Sequence, residues 1–150
     1  MSQRARITMT DEERRRFLNQ EHALACATIG PGGRPHLVTL WYLVDGDTLV
    51  CWTYAKSQKV RNLERDPRAT VQVEAGSTYD ELRGVMLECD VDIERDRERV
   101  LATGVALAAR HSGEPDEEAR AVIAHQAAKR VMLRFTPTRV ASWDHRKLGG

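Results

Sequence analysis

Apolar positions along this chain change period several times, and each change marks a predicted element. Runs rich in β-branched, aromatic and small apolar side chains, bounded by Gly, Pro and Asp, predict strands over His22–Ile29, Arg34–Val44, Thr48–Thr53, Ala69–Glu74 and Leu82–Glu94. Val131–Phe135 and Arg139–Trp143 predict two more on either side of Pro137. The turns between them are short. Gly30-Pro31-Gly32-Gly33 reverses the chain, Asp45-Gly46-Asp47 is a hairpin signal, and Ala75-Gly76-Ser77 is a further turn. The first three strands therefore read as a meander, and Gly84 within the fifth reads as a bend or bulge.

Four segments carry helical spacing instead. Thr10–Gln20 opens with a capping box, Thr10 followed by Glu13, and Asp11 and Glu12 suit the positive end of its dipole. Ser57–Arg65 reads as a short helix stopped by Asp66-Pro67. Asp96–Arg110 places Val100, Leu101, Val105 and Leu107 on its apolar side, and after a polar break a last helix runs from Pro115 to about Ala128. Turns of two to four residues between the early strands leave no room for crossover helices, which excludes a parallel doubly wound sheet. The expected fold is mainly β: a barrel of six to seven antiparallel strands with short peripheral helices, forming one domain over residues 1–150.

Composition narrows the functional classes. Apolar residues make up 41%, as in an ordinary globular chain. The 23 Lys and Arg against 22 Asp and Glu leave a net charge of +1, so no overall field favours nucleic acid or an anionic membrane. No apolar run reaches the length of a membrane span, and Met1–Arg6 is not followed by a signal-peptide core, so a cytoplasmic protein is expected. Cys26, Cys51 and Cys89 form no C-x-x-C pair and lie in apolar stretches, as reduced packing residues do. The five histidines have no metal-ligand spacing, and the glycine-rich phosphate loops and the seryl hydrolase motif are absent. Asp90 and Asp92 share one strand face, where a solvated acidic pair is the ordinary reading. Any redox chemistry would have to come from a bound cofactor.

The most informative segment is Thr53–Arg68, which carries Lys56, Lys59, Arg61, Arg65 and Arg68. Ser57 at a helix start with Lys59 in its first turn combines unpaired N–H groups, a hydroxyl and an ammonium, which suits a phosphate or carboxylate. On the residues alone, a solvated basic helix with a routine serine cap is the commoner arrangement. Along Arg34–Tyr42, alternation puts Thr39 and Trp41 on one face and His36 and Tyr42 on the other, so Trp41 either lines a flat ring site or belongs to the core. Trp143 either closes the barrel or edges a pocket.

These residues carry a family resemblance. The turn and RPHLVTLWY, the hairpin VDGDTLV, the strand ending in Thr53 and then SQKVRNLERDPRATV resemble the pyridoxamine 5′-phosphate oxidase-like split-barrel proteins. Within that superfamily the chain is most similar to the actinobacterial flavin/deazaflavin oxidoreductases of the B group. The string K-x-x-N-L-x-R-D-P-R, Lys59–Arg68, is its most specific part, and the likeness spans about Thr8 to Leu148.

The resemblance implies a split β-barrel homodimer with coenzyme F-420, or in some members FMN, in a groove at the subunit interface. By similarity Lys59 binds the cofactor phosphate, supported by Ser57 and the helix start. Arg61 reaches the same anion, and Asn62 fixes the turn or joins it. Thr53, Tyr54 and Lys56 lie along the ring and its side chain, and Thr39 and Trp41 flank the ring. The longer pyridoxamine phosphate oxidases carry a carboxy-terminal arginine pattern that this chain lacks, which argues against vitamin metabolism. The implied reaction is hydride transfer from reduced deazaflavin to a small electron-poor organic acceptor. Solvent can complete the reduction, so no side chain is assigned as a catalytic acid. An FMN-dependent oxidase or reductase, and a non-catalytic flavin or haem carrier, are the alternatives.

Overall fold

The computed structural model describes residues 1–149. Seven strands form one antiparallel sheet: β1 (Ala23–Ile29), β2 (Pro35–Trp41), β3 (Leu43–Asp45), β4 (Thr48–Tyr54), β5 (Arg68–Ala75), β6 (Arg83–Glu94) and β7 (Arg130–Asp144). Their order across the sheet is β2-β1-β5-β6-β7-β4-β3. Five helices accompany them: α1 (Gln3–Ile7), α2 (Asp11–Gln20), α3 (Gln58–Arg65), α4 (Arg97–Ser112) and α5 (Glu117–Ala127). This is the mainly-β barrel with peripheral helices that the pattern predicts.

One link sets the shape. β2 and β3 are the two opposite edges of the sheet, yet only Tyr42 separates them in the chain. The sheet must curl until its edges meet there. Tyr42 is fully buried at that junction, its hydroxyl donates to the Leu18 carbonyl at 2.6 Å, and the Arg110 guanidinium lies 5.2 Å above its ring.

The same link corrects two expectations. Arg34–Val44 is not one strand but two, broken at Tyr42, and the first three predicted strands are not a meander. β2 pairs only with β1, whereas β4 pairs with β3 and β7. The hairpin at Gly46-Asp47 is as predicted: Asp45 faces Thr48, and Gly46 takes φ 59°, the positive φ that the first position of a type II′ turn requires.

Two further differences lie on β6 and β7. The strands expected on either side of Pro137 are one continuous strand. Cys89 faces Pro137 and Glu88 faces Arg139, so Thr138 is the extra residue of a bulge, its hydroxyl donating to the Glu88 carbonyl at 3.1 Å. A bulge tolerates a proline that cannot donate to the ladder. Gly84 makes no bulge. It pairs regularly with Trp143, and a β-carbon on it would fall 2.8 Å from Cε2 of that indole. The small residue makes room for the ring, so half-buried Trp143 packs over β6 and is not part of the main core.

Alternate residues of β1, β4, β5, β6 and β7 fill the barrel: Leu24 and Cys26, Leu49 and Cys51, Val71 and Val73, Val85 and Leu87, Leu133 and Phe135. The thiols of Cys26, Cys51 and Cys89 are free and buried, as expected. Phe17 and Leu18 of α2 add to this core, as do Val60 and Leu63 of α3. α2 carries the full capping box, Thr10 accepting from the Glu13 amide at 3.1 Å and Glu13 accepting from the Thr10 amide at 2.9 Å. α4 lies over β4 with Gly104 against Trp52. No helix among the described residues is long and apolar enough to cross a membrane.

The Trp52–Gly104 contact yields a stability prediction. A β-carbon at 104 would fall 2.6 Å from Cη2 of the Trp52 ring. Gly104→Ala gains about 1 kcal/mol of helix propensity but overpacks the seam, at a cost of about 1–3 kcal/mol. A net loss of stability is therefore expected in urea unfolding, although the same substitution on an open helix face would stabilise.

Candidate functional site

The site begins where β4 ends. Ser57 holds the N-cap position of α3 with extended backbone, and the Tyr54 carbonyl accepts from its amide at 3.1 Å, so a tight turn delivers the chain from strand to helix. Val60 and Leu63 anchor the helix in the core, which leaves its amino-terminal turn at the barrel rim.

Lys59 sits in that turn and is 9% exposed. Its ammonium donates to Thr53 Oγ1 at 2.8 Å, and among the described residues no carboxylate pairs with it. Burial pushes the ammonium below its usual 10.5, while the nearby Cys26 and Cys51 thiols act in the opposite direction. Those thiols do not balance its charge. Burial raises Cys26 to about 11 and Cys51 well above an ordinary thiol, so both are neutral and unreactive at pH 7. Beside this cation the Ser57 hydroxyl is buried, caps no helix amide and has no partner. A buried cation with one of three N–H groups satisfied, an orphaned hydroxyl and free helix amides are donor groups of the kind that suit an anion.

Asn62 has a different task. Fully buried, it donates to Thr28 Oγ1 at 3.0 Å and accepts from Gln58 Nε2 at 2.8 Å, and Arg65 donates to the Ile29 carbonyl at 2.6 Å. These bonds lock α3 onto the end of β1, so Asn62 fixes the helix that presents Lys59. Thr28 and Gln58 are not marked by the sequence, and Arg65 is marked only as one cation of a basic segment, because nothing in their spacing tells which strand α3 crosses.

The remaining marked residues fall in two places. Tyr54, Lys56 and Arg61 are exposed around the start of α3, with Tyr54 at 56%. Thr39 and Trp41 face outward on β2, exposed, and Trp41 stacks on His111 at 4.1 Å between ring centroids. Trp41 thus belongs to neither the core nor the Lys59 cluster. In the ladder Trp41 lies opposite Ala23, five residues along β1 from Thr28, which is about 17 Å. Thr53 and Lys59 are bonded to one another near Ser57, whereas Thr39 and Trp41 lie on the outward face of β2.

Arg130 lies on the outward face of the sheet, beside the end of β4. It faces Tyr54 across the β4–β7 ladder, and its guanidinium carbon lies 4.2 Å from the centroid of Tyr54 and 4.7 Å from that of Trp52. Two surface grooves lie elsewhere. One of about 280 Å³ runs beneath α2 beside Leu18, Val44, Pro137 and Val140. Another of about 370 Å³ lies on the outer face beside Ala27, Pro35, Arg68 and Thr138. Lys59 lines neither.

A curled antiparallel barrel with short peripheral helices is a fold shared with known proteins. The chain belongs to the pyridoxamine 5′-phosphate oxidase family, whose model matches residues 10–144. Among solved structures it is similar to the conserved hypothetical protein Rv2991 of Mycobacterium tuberculosis, at 41% identity and TM-score 0.91, covering 100% of this chain and 94% of that one. It is similar also to an F420 reductase, at 25% identity and TM-score 0.69, covering 88% of this chain and 98% of that one. A FAD-binding protein of Mesorhizobium loti, at 18% identity and TM-score 0.70 over 90% and 94% of the two chains, shares the fold. No curated protein matches this chain.

The unbalanced ammonium has a measurable cost in the free protein. Its folded-state pKa is lowered, so the penalty is present in full below that value and disappears as pH rises to the unfolded value near 10.5. Lys59→Met, which keeps the apolar stem, should therefore stabilise the free protein at pH 7 by about 1 kcal/mol. The gap between variant and wild type should close as unfolding is repeated towards pH 10.5. A gap that stays constant with pH would mean that Lys59 is not a strained cation.

Proposed function

We propose that this chain is an oxidoreductase that binds coenzyme F-420 by its phosphate at Lys59 and passes hydride from it to a small electron-poor organic acceptor. The observation that carries the reading is the buried Lys59 ammonium, balanced by no carboxylate among the described residues and set beside the orphaned Ser57 hydroxyl. A fold keeps such a group where an anionic ligand completes it, because leaving it unpaired destabilises the free protein. The family membership and the F420 reductase among the similar structures support a flavin-type cofactor with a phosphate. When bound and reduced, F-420 supplies the hydride.

The residues present fit that group. Lys59, Ser57 and the first amides of α3 hold the phosphate, and Asn62 keeps α3 from shifting. Thr53 holds the Lys59 ammonium towards the rim, and exposed Tyr54 offers an aromatic surface at the mouth. Lys56 and Arg61, both exposed at the start of α3, add positive charge that suits the lactyl-glutamate tail of F-420 and has no counterpart in FMN. Thr39 and Trp41 reach a cofactor at Lys59 only if a second protomer supplies them, so a homodimer with the cofactor at its interface is part of this reading. Residues that exclude water and fix one face of the ring raise the rate by orienting the reactants. No side chain at Lys59 is a proton donor suited to the acceptor, and solvent supplies that proton.

Fluorescence titration with F-420, and with FMN in parallel, tests the reading. Micromolar or tighter binding of F-420 with weaker FMN is expected. The reverse order would make the chain an FMN protein, and binding of neither would overturn the reading. Lys59→Ala should weaken F-420 binding by about 10- to 150-fold through loss of a charge-assisted hydrogen bond. An unchanged dissociation constant would remove Lys59 from the site.

A further inference from the structure

Trp41 is exposed on β2, yet its indole is not free. The imidazole of His111, in the last turn of α4, stacks on it at 4.1 Å between ring centroids and 26° between planes. His22, just before β1, meets the same imidazole edge-on at 5.0 Å and 66°. His111 therefore ties the carboxy-terminal end of α4 to the edge strand β2. The residue before it fixes that end in place: Arg110 Nη2 donates to the Leu18, Asn19 and Glu21 carbonyls at 3.2, 3.3 and 2.6 Å.

The surroundings of His111 suit a neutral ring. Its Nε2 is buried and has no hydrogen-bond partner among the described residues. A neutral imidazole leaves an unmet acceptor there, whereas a protonated one leaves a buried charged donor with no acceptor, which costs more. The charged groups that face the ring are both basic: His22 from the segment before β1, and Arg110 from α4 itself. β2 contributes Trp41 and the Tyr42 backbone, and the hydrogen bond of the latter is the one contact that favours the charged ring. Glu21 acts on the Tyr42 hydroxyl, and no carboxylate among the described residues pairs with His111. Burial first, then His22 and Arg110, hold His111 below its usual 6.5.

We propose that His111 is the positioning residue of Trp41 and a pH-sensitive one: the neutral imidazole holds the indole in place, and the protonated imidazole leaves it for water. This rests on the reading that Trp41 of a second protomer flanks the cofactor ring, and it adds regulation to that site, with weaker binding at acidic pH. The attraction of an imidazolium for an indole face opposes the departure, but it is smaller than the cost of a buried charged donor without an acceptor. The charged ring is penalised only in the folded protein. The stack is therefore intact above the usual 6.5 and is lost as pH falls through the lowered folded-state value.

The full chain is tested first without cofactor, by tryptophan emission between about pH 8 and pH 5. A departing imidazole uncovers the indole, so the emission should shift to the red as pH falls, with a midpoint below 6.5. His111→Phe, which keeps an uncharged ring on Trp41, should show no shift, nor should Trp41→Phe, which removes the reporter. Loss of emission without a red shift would mean that the imidazolium stays on the indole and quenches it, and would overturn the proposal. A red shift that His111→Phe retains would overturn it equally. The second arm is F-420 titration at pH 7.5 and pH 5.5, in which His111→Phe takes up any titration of the cofactor itself. Between these values the dissociation constant should rise about 3- to 10-fold more in wild type than in His111→Phe, the worth of one aromatic stacking contact. Equal changes in the two proteins would overturn the positioning role and leave the Lys59 site standing. Failure of wild-type protein to bind F-420 at either pH would overturn the deazaflavin reading and the role of Trp41 in it, while the emission arm would still decide whether His111 releases the indole. Far-UV circular dichroism that is unchanged down to pH 5 separates these outcomes from unfolding.

Discussion

The chain around α3 is arranged about an ammonium placed where water reaches it poorly and where, among the described residues, no counter-charge meets it. Lys59 has one hydroxyl partner, Thr53, at the end of a barrel filled with aliphatic side chains and neutral thiols. Such a group costs stability in the free protein, and the surrounding structure is built to keep it there all the same. Val60 and Leu63 sink α3 into the core, and Asn62 and Arg65 fasten it to β1 through Thr28 and the Ile29 carbonyl. The turn at Tyr54–Ser57 brings the free amides of the helix to the same rim. Each of these contacts serves to hold the positive charge in one place, so that under the proposed reading the ordering cost of binding an anion is met in folding.

The barrel provides the rigidity that this demands. Because β2 and β3 are the two sheet edges and are joined through Tyr42 alone, the chain cannot form both strands without closing the sheet. Tyr42, Arg110 and the end of α2 secure that closure. Trp52 against Gly104 and Trp143 against Gly84 repeat one packing device, a large indole over a residue without a side chain. The first of these pairs also joins α4 to Arg130 and Tyr54.

Much of this could be read from the sequence. The strand and helix segments, the capping box of α2 and the hairpin at Gly46 all follow from local pattern, because caps, turns and alternation are local physics. What could not be read depends on which strand meets which. A run of alternating residues from Arg34 to Val44 gives no sign that the chain leaves one edge of the sheet at Tyr42 and joins the other. Gly84 reads as a bulge until the indole of Trp143 is placed over it. The roles of Thr28 and Gln58 depend on where α3 crosses β1, a contact between residues far apart in the chain. Thr39 and Trp41 show the limit from the other side: their face was predicted correctly, and their distance from Lys59 was not legible.

A crystal structure of the protein with F-420 bound measures the central claim most directly. The account predicts a phosphate oxygen within hydrogen-bond distance of both Lys59 Nζ and Ser57 Oγ, with the first amides of α3 completing its coordination. A cofactor seated elsewhere, with Lys59 still bonded only to Thr53 and Ser57 still without a partner, would contradict it.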